Sequence, residues 1–374
     1  MVALIAACVC SSLIVSLTAT AAMRRLAPRW GFVDRPSARK IHAAPVALGG
    51  GVGIWLGIVV PISCAQIGAA VLQRLPETPA WFPGDLARHL AGMNARAGQV
   101  WLILAAATVI SALGLLDDLQ NLGWRPKLLV QFALASGLVM GGIRATVFVA
   151  APWVGGALTV LWIVVLTNAF NFLDNMDGLS AGMGLIAAVL FAMIMLTGTS
   201  EPRWFVASFL LILAGSLAGF LVHNWPPARI FMGDTGSCLI GLLLACLTVT
   251  GTFYDYEQSN RYVMLAPGCV LAVPLYDFCS VVMIRLAQGR SPFHADKWHF
   301  SHRLVTLGLS RRYAVLTIYL ITLTTGLGGL LLYQVRGWFG AGLVVAFVLA
   351  LLLVVAILEA AGYRREAGKD PELS

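Results

Sequence analysis

Long apolar runs recur through this chain, mostly at intervals of about 25 to 35 residues, and their length leaves one class of fold open. Eleven runs stand out: 2–22, 47–73, 99–116, 128–149, 153–173, 179–198, 204–222, 236–252, 262–283, 313–333 and 338–358. At ~1.5 Å per residue, a helix of each run crosses a hydrocarbon layer ~30 Å thick. Within lipid every backbone polar group needs an internal partner, so a spanning segment is a helix or a barrel strand. Barrel strands alternate polar and apolar residues, and these runs do not. The sequence therefore predicts an all-α integral membrane protein, a polytopic bundle of about eleven transmembrane helices. A single domain covers 1–358, a short tail covers 359–374, and no soluble domain is attached.

The distribution of positive charge sets the expected orientation. With the N-terminus outside and the C-terminus cytoplasmic, the inner loops and tail hold 18 of the 25 Lys and Arg, in 24–40, 125–127, 229, 285–312 and 364–369. That is the positive-inside pattern. The same distribution turns the net charge of +8 away from nucleic acid and toward membrane lipids and anionic substrates. Ala19-Thr20-Ala21 resembles a small-residue cleavage site, but no positive charge precedes the first run and Arg24, Arg25 and Arg29 follow it. It reads as a retained helix. The seven cysteines form no C-x-x-C pair and read as buried, inert thiols.

The inner loops carry nearly all the chemistry. Asp117-Asp118 closes the third run, where a helix C-terminus is partly negative and favours basic residues. Two adjacent acids there need a cation. Asn168, Asn171, Asp174 and Asp177 recur every three residues, so they share one helix face that reads as a ligand site or as interhelical glue. Asp234 opens the eighth run, where a helix N-terminus favours anions. Five acids at one membrane rim are expensive in isolation and suggest a site for a divalent cation and phosphates.

Other residues join them. Lys127 reads as a phosphate ligand or a snorkelling anchor. Arg39, Lys40 and His42 suit a phosphate or headgroup, and Gly49 to Gly51 suit a close ligand approach or close helix packing. Asn224 precedes Pro226-Pro227, and Phe231 suits stacking on a base or anchoring at the interface. Three of the six histidines fall within His294 to His302. Zinc is one reading, but no cysteine joins them. A basic loop closing over phosphates fits better.

Five blocks in register carry a family resemblance: Asp34–His42, Asp117-Asp118, Asn168–Gly178, Phe231–Ser237 and His294–Arg303. Together they resemble the polyprenyl-phosphate N-acetylhexosamine-1-phosphate transferases, over about residues 24 to 304. The resemblance implies a plasma-membrane enzyme with its active site on the cytoplasmic face. It implies magnesium-dependent transfer of a sugar-1-phosphate, most simply GlcNAc-1-phosphate, from a UDP-N-acetylhexosamine to polyprenyl (undecaprenyl) phosphate, with release of UMP; manganese is a substitute metal. Asp234 and Asn171 would hold the metal, and Asp117 and Asp118 would be the catalytic acids. Asn168, Asp174, Asp177, Asn224 and Phe231 would line the nucleotide pocket. Lys127 and the loop residues His294, Asp296, Lys297, His299, His302 and Arg303 would meet the diphosphate and sugar. A homodimer is compatible with this reading.

The chain departs from the family pattern in places. The usual Asp-Gly-x-Asp-Gly has Asn175 in place of its first glycine, which is expected to survive because Asn tolerates left-handed backbone. The usual His-His pair is Ser301-His302, and Lys297 stands where Arg is commoner. Three adjacent histidines, typical of the phospho-MurNAc-pentapeptide transferases, are absent; that branch is the runner-up. An ion-coupled transporter is a remote alternative, since its acids would lie near mid-membrane on broken helices.

Overall fold

The computed structural model describes residues 1–34, 45–77, 79–80, 82–145, 151–198, 201–251, 261–292 and 298–367. Its long helices are α1 (Val2–Leu26), α2 (Gly50–Leu72), α3 (Ala97–Gln120), α4 (Trp124–Met140), α5 (Pro152–Leu173), α6 (Leu179–Thr197), α7 (Trp204–Asn224), α8 (Gly233–Thr250), α9 (Ala272–Ala287), the short α10 (Phe300–Thr306), α11 (Arg311–Leu331) and α12 (Gly337–Ala367). Among the described residues nine helices are long and apolar enough to cross a membrane. The count is ten if the segment Arg261–Val270 and α9, bent by 66°, form one span.

Two expected runs differ in the structure, each for a local reason. The run 262–283 breaks at Leu271 (φ −98°, ψ 18°); Pro274, three residues on, lacks an N–H and its ring displaces the carbonyl of residue 270. The run 128–149 appears as α4, 17 residues long, stopped by Gly141 and by Gly142, which is left-handed at φ +93°.

Helix α8 is the hub. Every residue from Thr235 to Val249 is buried, as expected of a helix apolar on all sides. It packs against α2, α3, α5, α6 and α7. Small residues permit the closest crossings. A Cβ on Gly51 would lie 2.3 Å from the Gly236 nitrogen, and one on Gly114 would lie 2.4 Å from the Thr235 nitrogen. At Gly51 the packing role is therefore the one realised, and it draws α2 and α3 onto the first turn of α8.

The all-α expectation misses a small backbone clasp at the rim. Strand β1 (Val33–Asp34) pairs antiparallel with β2 (Val46–Ala47), and Ala47 bridges Ile230 in parallel. Phe231 N–H donates to the Ala47 carbonyl at 2.9 Å, and Gly50 and Gly51 N–H donate to the Phe231 and Met232 carbonyls at 2.9 and 3.0 Å. Backbone that leaves the helices at this depth thus finds partners. Of the cysteines, Cys8, Cys238, Cys246 and Cys269 are buried as expected, whereas Cys10, Cys64 and Cys279 lie on the outer surface of the bundle.

Candidate active site

The C-termini of α3 and α5 and the N-terminus of α8 meet at one end of the bundle. They bound a cavity of 930 Å³ lined by Asp117, Asp118, Asp174, Asp177 and Asp234, with Asp34, Asn224, Phe231, His302, Arg311 and Arg312 on other walls. All five acids singled out in the sequence therefore share one site.

The adjacent acids Asp117 and Asp118 do different things. Asp118 caps α8 from another helix. Its Oδ1 accepts the Asp234 N–H at 2.9 Å, and its Oδ2 accepts the Thr235 N–H at 3.2 Å and the Thr235 hydroxyl at 2.8 Å. These N–H groups have no partner inside their own helix, and the carboxylate also meets the positive end of the dipole. Gly233 makes the approach possible: it is left-handed at φ +70°, and a Cβ there would lie 2.4 Å from Asp118 Oδ2. Asp117 instead accepts from Lys127 Nζ at 2.8 Å through Oδ2, and its buried Oδ1 has no hydrogen-bond partner.

Lys127 reaches from the first turn of α4 between two acids. Its ammonium lies 2.8 Å from Asp117 and 3.1 Å from Asp234. Of the two roles open in the sequence, snorkelling is not the one adopted. Asn171 Nδ2 donates to Ser237 Oγ at 3.1 Å, and the same amide faces the Asp234 carboxylate. Asp174 sits in the turn after α5. Burial, then the neighbouring charges of Asp234, Asp118 and Asp177, push its carboxyl well above the usual carboxylate range.

Several expected ligand residues are braces as well. Asn224 accepts the Gly178 N–H at 2.8 Å and donates to the Ile230 carbonyl at 2.8 Å, tying the turn after α5 to the chain before α8. Asp177 accepts the Ala228 N–H at 2.9 Å. Asn168 donates to Gln131 Oε1 at 2.6 Å, joining α4 to α5 in the manner of interhelical glue, and it does not line the cavity. Phe231 lines the cavity.

The histidine segment divides. His302 lines the cavity. His299 is buried against α9: its Nδ1 lies 3.0 Å from Asp277 Oδ2, and the Phe300 N–H donates to Asp277 Oδ1 at 2.6 Å. Arg303 turns to Glu359 of α12 at 3.1 Å and to Ser280 at 2.8 Å, and Glu359 accepts from Tyr276 at 2.6 Å. His294, Asp296 and Lys297 lie outside the described residues, as do Arg39, Lys40 and His42. The sequence reading does not include Asp277, inside the run 262–283, or Glu359, which directly follows the run 338–358, although acids at the ends of apolar runs are the signal it applies elsewhere. It also passed over Arg311 and Arg312, which line the cavity.

Among the described residues no three Asp, Glu, His or Cys side chains cluster as a metal site. Magnesium does not require such a cluster, since it takes one or two carboxylates plus substrate phosphates and water. The partnerless Asp117 Oδ1, and an ammonium already drawn between two carboxylates, mark a place that calls for positive charge.

Comparison with known proteins gives a consistent picture. The profile of glycosyl transferase family 4 matches residues 100–252. The chain is 32% identical to the probable undecaprenyl-phosphate N-acetylglucosaminyl 1-phosphate transferase of Bacillus subtilis, over 96% of this chain and 92% of that one. It is 35% identical to the decaprenyl-phosphate N-acetylglucosaminephosphotransferase of Mycobacterium tuberculosis, over 82% and 77% of the two chains. It is 27% identical to the undecaprenyl-phosphate alpha-N-acetylglucosaminyl 1-phosphate transferase of Escherichia coli O157:H7, over 88% and 84%.

Proposed function

Since the chain belongs to the polyprenyl-phosphate N-acetylglucosaminyl-1-phosphate transferases of glycosyl transferase family 4, we propose that it transfers GlcNAc-1-phosphate from UDP-GlcNAc to undecaprenyl phosphate and releases UMP. The observation that carries this reading is the convergence of Asp117, Asp174, Asp177 and Asp234 with Lys127 at one rim of a membrane bundle. Only a rim site serves a lipid phosphate and a water-soluble nucleotide together. We place that rim on the cytoplasmic face, with eleven spans and the N-terminus outside, on the strength of the positive-inside charge pattern. Acids at span ends rather than mid-membrane favour this reading over a transporter.

The acceptor is a phosphate monoester with a second pKa near ~6, so it is largely dianionic at neutral pH and needs little help from a base. The larger task is to bring two anions together and steady the leaving UMP. In the reaction an acceptor oxygen bonds to the phosphorus next to the sugar, and the bond from that phosphorus to the UMP oxygen breaks. The sugar C1–O bond is untouched, so its anomeric configuration is retained. Lys127 supplies positive charge beside the diphosphate. Asp117, with one oxygen uncommitted, orients the acceptor phosphate and takes any residual proton. Asp118 keeps the first turn of α8, and with it Asp234, in place. Asp174, Asp177, Phe231 and His302 line the space for the nucleotide and sugar. Asp234 and Asn171 would hold a magnesium ion, which when bound neutralises phosphate charge in the transition state.

The donor is tested by incubating purified protein with undecaprenyl phosphate, Mg²⁺ and either UDP-GlcNAc, UDP-GalNAc or UDP-MurNAc-pentapeptide. UMP release with UDP-GlcNAc is the expected result. Release with the pentapeptide donor alone would move the assignment to the peptidoglycan branch.

A further inference from the structure

Two positions depart from the family pattern beside the cavity, and the fold puts them in contact. Asn175 replaces the first glycine of Asp-Gly-x-Asp-Gly, and Ser301 replaces the first histidine of a pair. Though 126 residues apart, they are hydrogen-bonded: Ser301 Oγ donates to Asn175 Oδ1 at 2.5 Å. Ser301 lies in the first turn of α10 and is 1% exposed. At the other end of the amide, Asn175 Nδ2 donates to the Phe172 carbonyl at 2.8 Å, one of the acceptors that α5 leaves without a helical partner at its C-terminus. A single side chain therefore joins the end of α5 to α10. Asn175 itself lines the cavity, as do Asp174, Asp177 and His302, the residue after Ser301.

Backbone conformation does not explain Asn175. Among the described non-glycine residues only Asn121 has positive φ, so the expectation of a left-handed Asn175 is not met. In this turn the left-handed residue is Gly178, at φ +76°. A glycine would suit residue 175, and what it would forfeit is the side chain. The exchange also conserves bulk. Gly with His, and Asn with Ser, each carry about six side-chain heavy atoms, and swaps that conserve volume are the ones packed interiors tolerate best.

We propose that Asn175 and Ser301 are a matched pair of positioning residues that seats α10 on the turn after α5 and so sets His302 against the substrate cavity. The inference rests on the transferase reading of that cavity. In this chain one hydrogen bond makes that link, and neither residue is interchangeable alone.

The test is a pair of double-mutant cycles, read as UMP release from UDP-GlcNAc and as melting temperature of the purified full chain. Asn175→Gly and Ser301→His are each expected to lower kcat/KM by roughly tenfold or more, the first leaving a buried hydroxyl unpaired and the second overfilling the site. The double variant N175G/S301H is expected to return to within about threefold of the unmodified protein. Losses that multiply in the double variant would overturn the proposal. A buried histidine can also prevent folding, so Asn175→Ala and Ser301→Ala form a gentler cycle. Each is expected to lose about three- to tenfold in kcat/KM, with melting within a few degrees of the parent and the double no worse than the poorer single. Activity that falls only in step with melting temperature would mean a folding role and overturn the positioning claim. Absence of UMP release by the unmodified protein would refute the transferase reading instead. The pairing would then stand or fall on whether the melting temperatures are non-additive.

Discussion

Replacing Asp117 and Asp118 one at a time by Asn should separate catalysis from architecture, although the residues are adjacent. Asn at 118 retains an oxygen for the Asp234 N–H but turns an NH₂ toward the Thr235 N–H, which Asp118 now accepts at 3.2 Å. One buried donor loses its partner, a cost of about 1–3 kcal/mol. The anion at the N-terminus of α8 is also lost, about 0.3–1 kcal/mol more. The sum, about 1.5–4 kcal/mol, falls on the helix against which five others pack. Asn at 117 keeps an oxygen for Lys127 at 2.8 Å and loses only the charge of that pair, and Lys127 keeps Asp234 at 3.1 Å. Its Oδ1 has no partner to lose, so the stability change should be about 1 kcal/mol or less. The assay is thermal unfolding of the protein in lipid nanodiscs beside UMP release on the same samples. Asp118→Asn is expected to melt several degrees lower and to lose activity. Asp117→Asn should melt within a degree or two of the parent yet lose at least about a hundredfold in rate, as expected when a group meeting the reacting phosphate is removed. Equal melting temperatures for the two variants, or a larger drop for Asp117→Asn, would refute this division of labour.

Three further outcomes follow from the same geometry. Lys127→Met leaves Asp117 and Asp234 facing each other without the ammonium; melting curves with and without Mg²⁺ should show a larger metal-dependent rise than in the parent, while UMP release falls at least about a hundredfold. Because burial, and then the neighbouring acids, hold the Asp174 proton to higher pH than an ordinary carboxyl, the negative charge that Asp174 adds near the metal site at Asp234 is lost as pH falls. Titrating Mg²⁺ at several pH values should show half-activation moving to higher metal on acidification, a trend that flattens in Asp174→Asn. Arg303→Met strands Glu359, which is 6% exposed; breaking such a pair from one side costs about 3–5 kcal/mol, so the yield of folded protein should collapse and R303M/E359Q should recover most of it.

Much of the site was legible in the sequence because acids at the ends of apolar runs have few physical excuses. Asp117, Asp118, Asp174, Asp177 and Asp234 do share one cavity. What the sequence could not show is which partner each one takes. Asp118 looks like its neighbour in the chain, and only the arrival of Gly233 and α8 makes it a cap. His299 and Arg303 share a basic segment with His302, yet their partners Asp277 and Glu359 come from α9 and α12. The clasp of Val33–Asp34 with Val46–Ala47 is two residues long on each side, too short for any periodicity to register. The bend at Leu271 was hidden because hydropathy runs straight through it, although Pro274 was in view.

The central claim is transfer of a sugar together with its phosphate, and the nucleotide released tests it most directly. Purified protein in nanodiscs containing undecaprenyl phosphate would be given UDP-GlcNAc and Mg²⁺, and the soluble products separated by chromatography. The account predicts UMP, in amounts equal to a new lipid bearing two phosphates and one GlcNAc, and no product after removal of the metal by EDTA. Release of UDP, with a lipid carrying one phosphate, would mean transfer of the sugar alone and would contradict it.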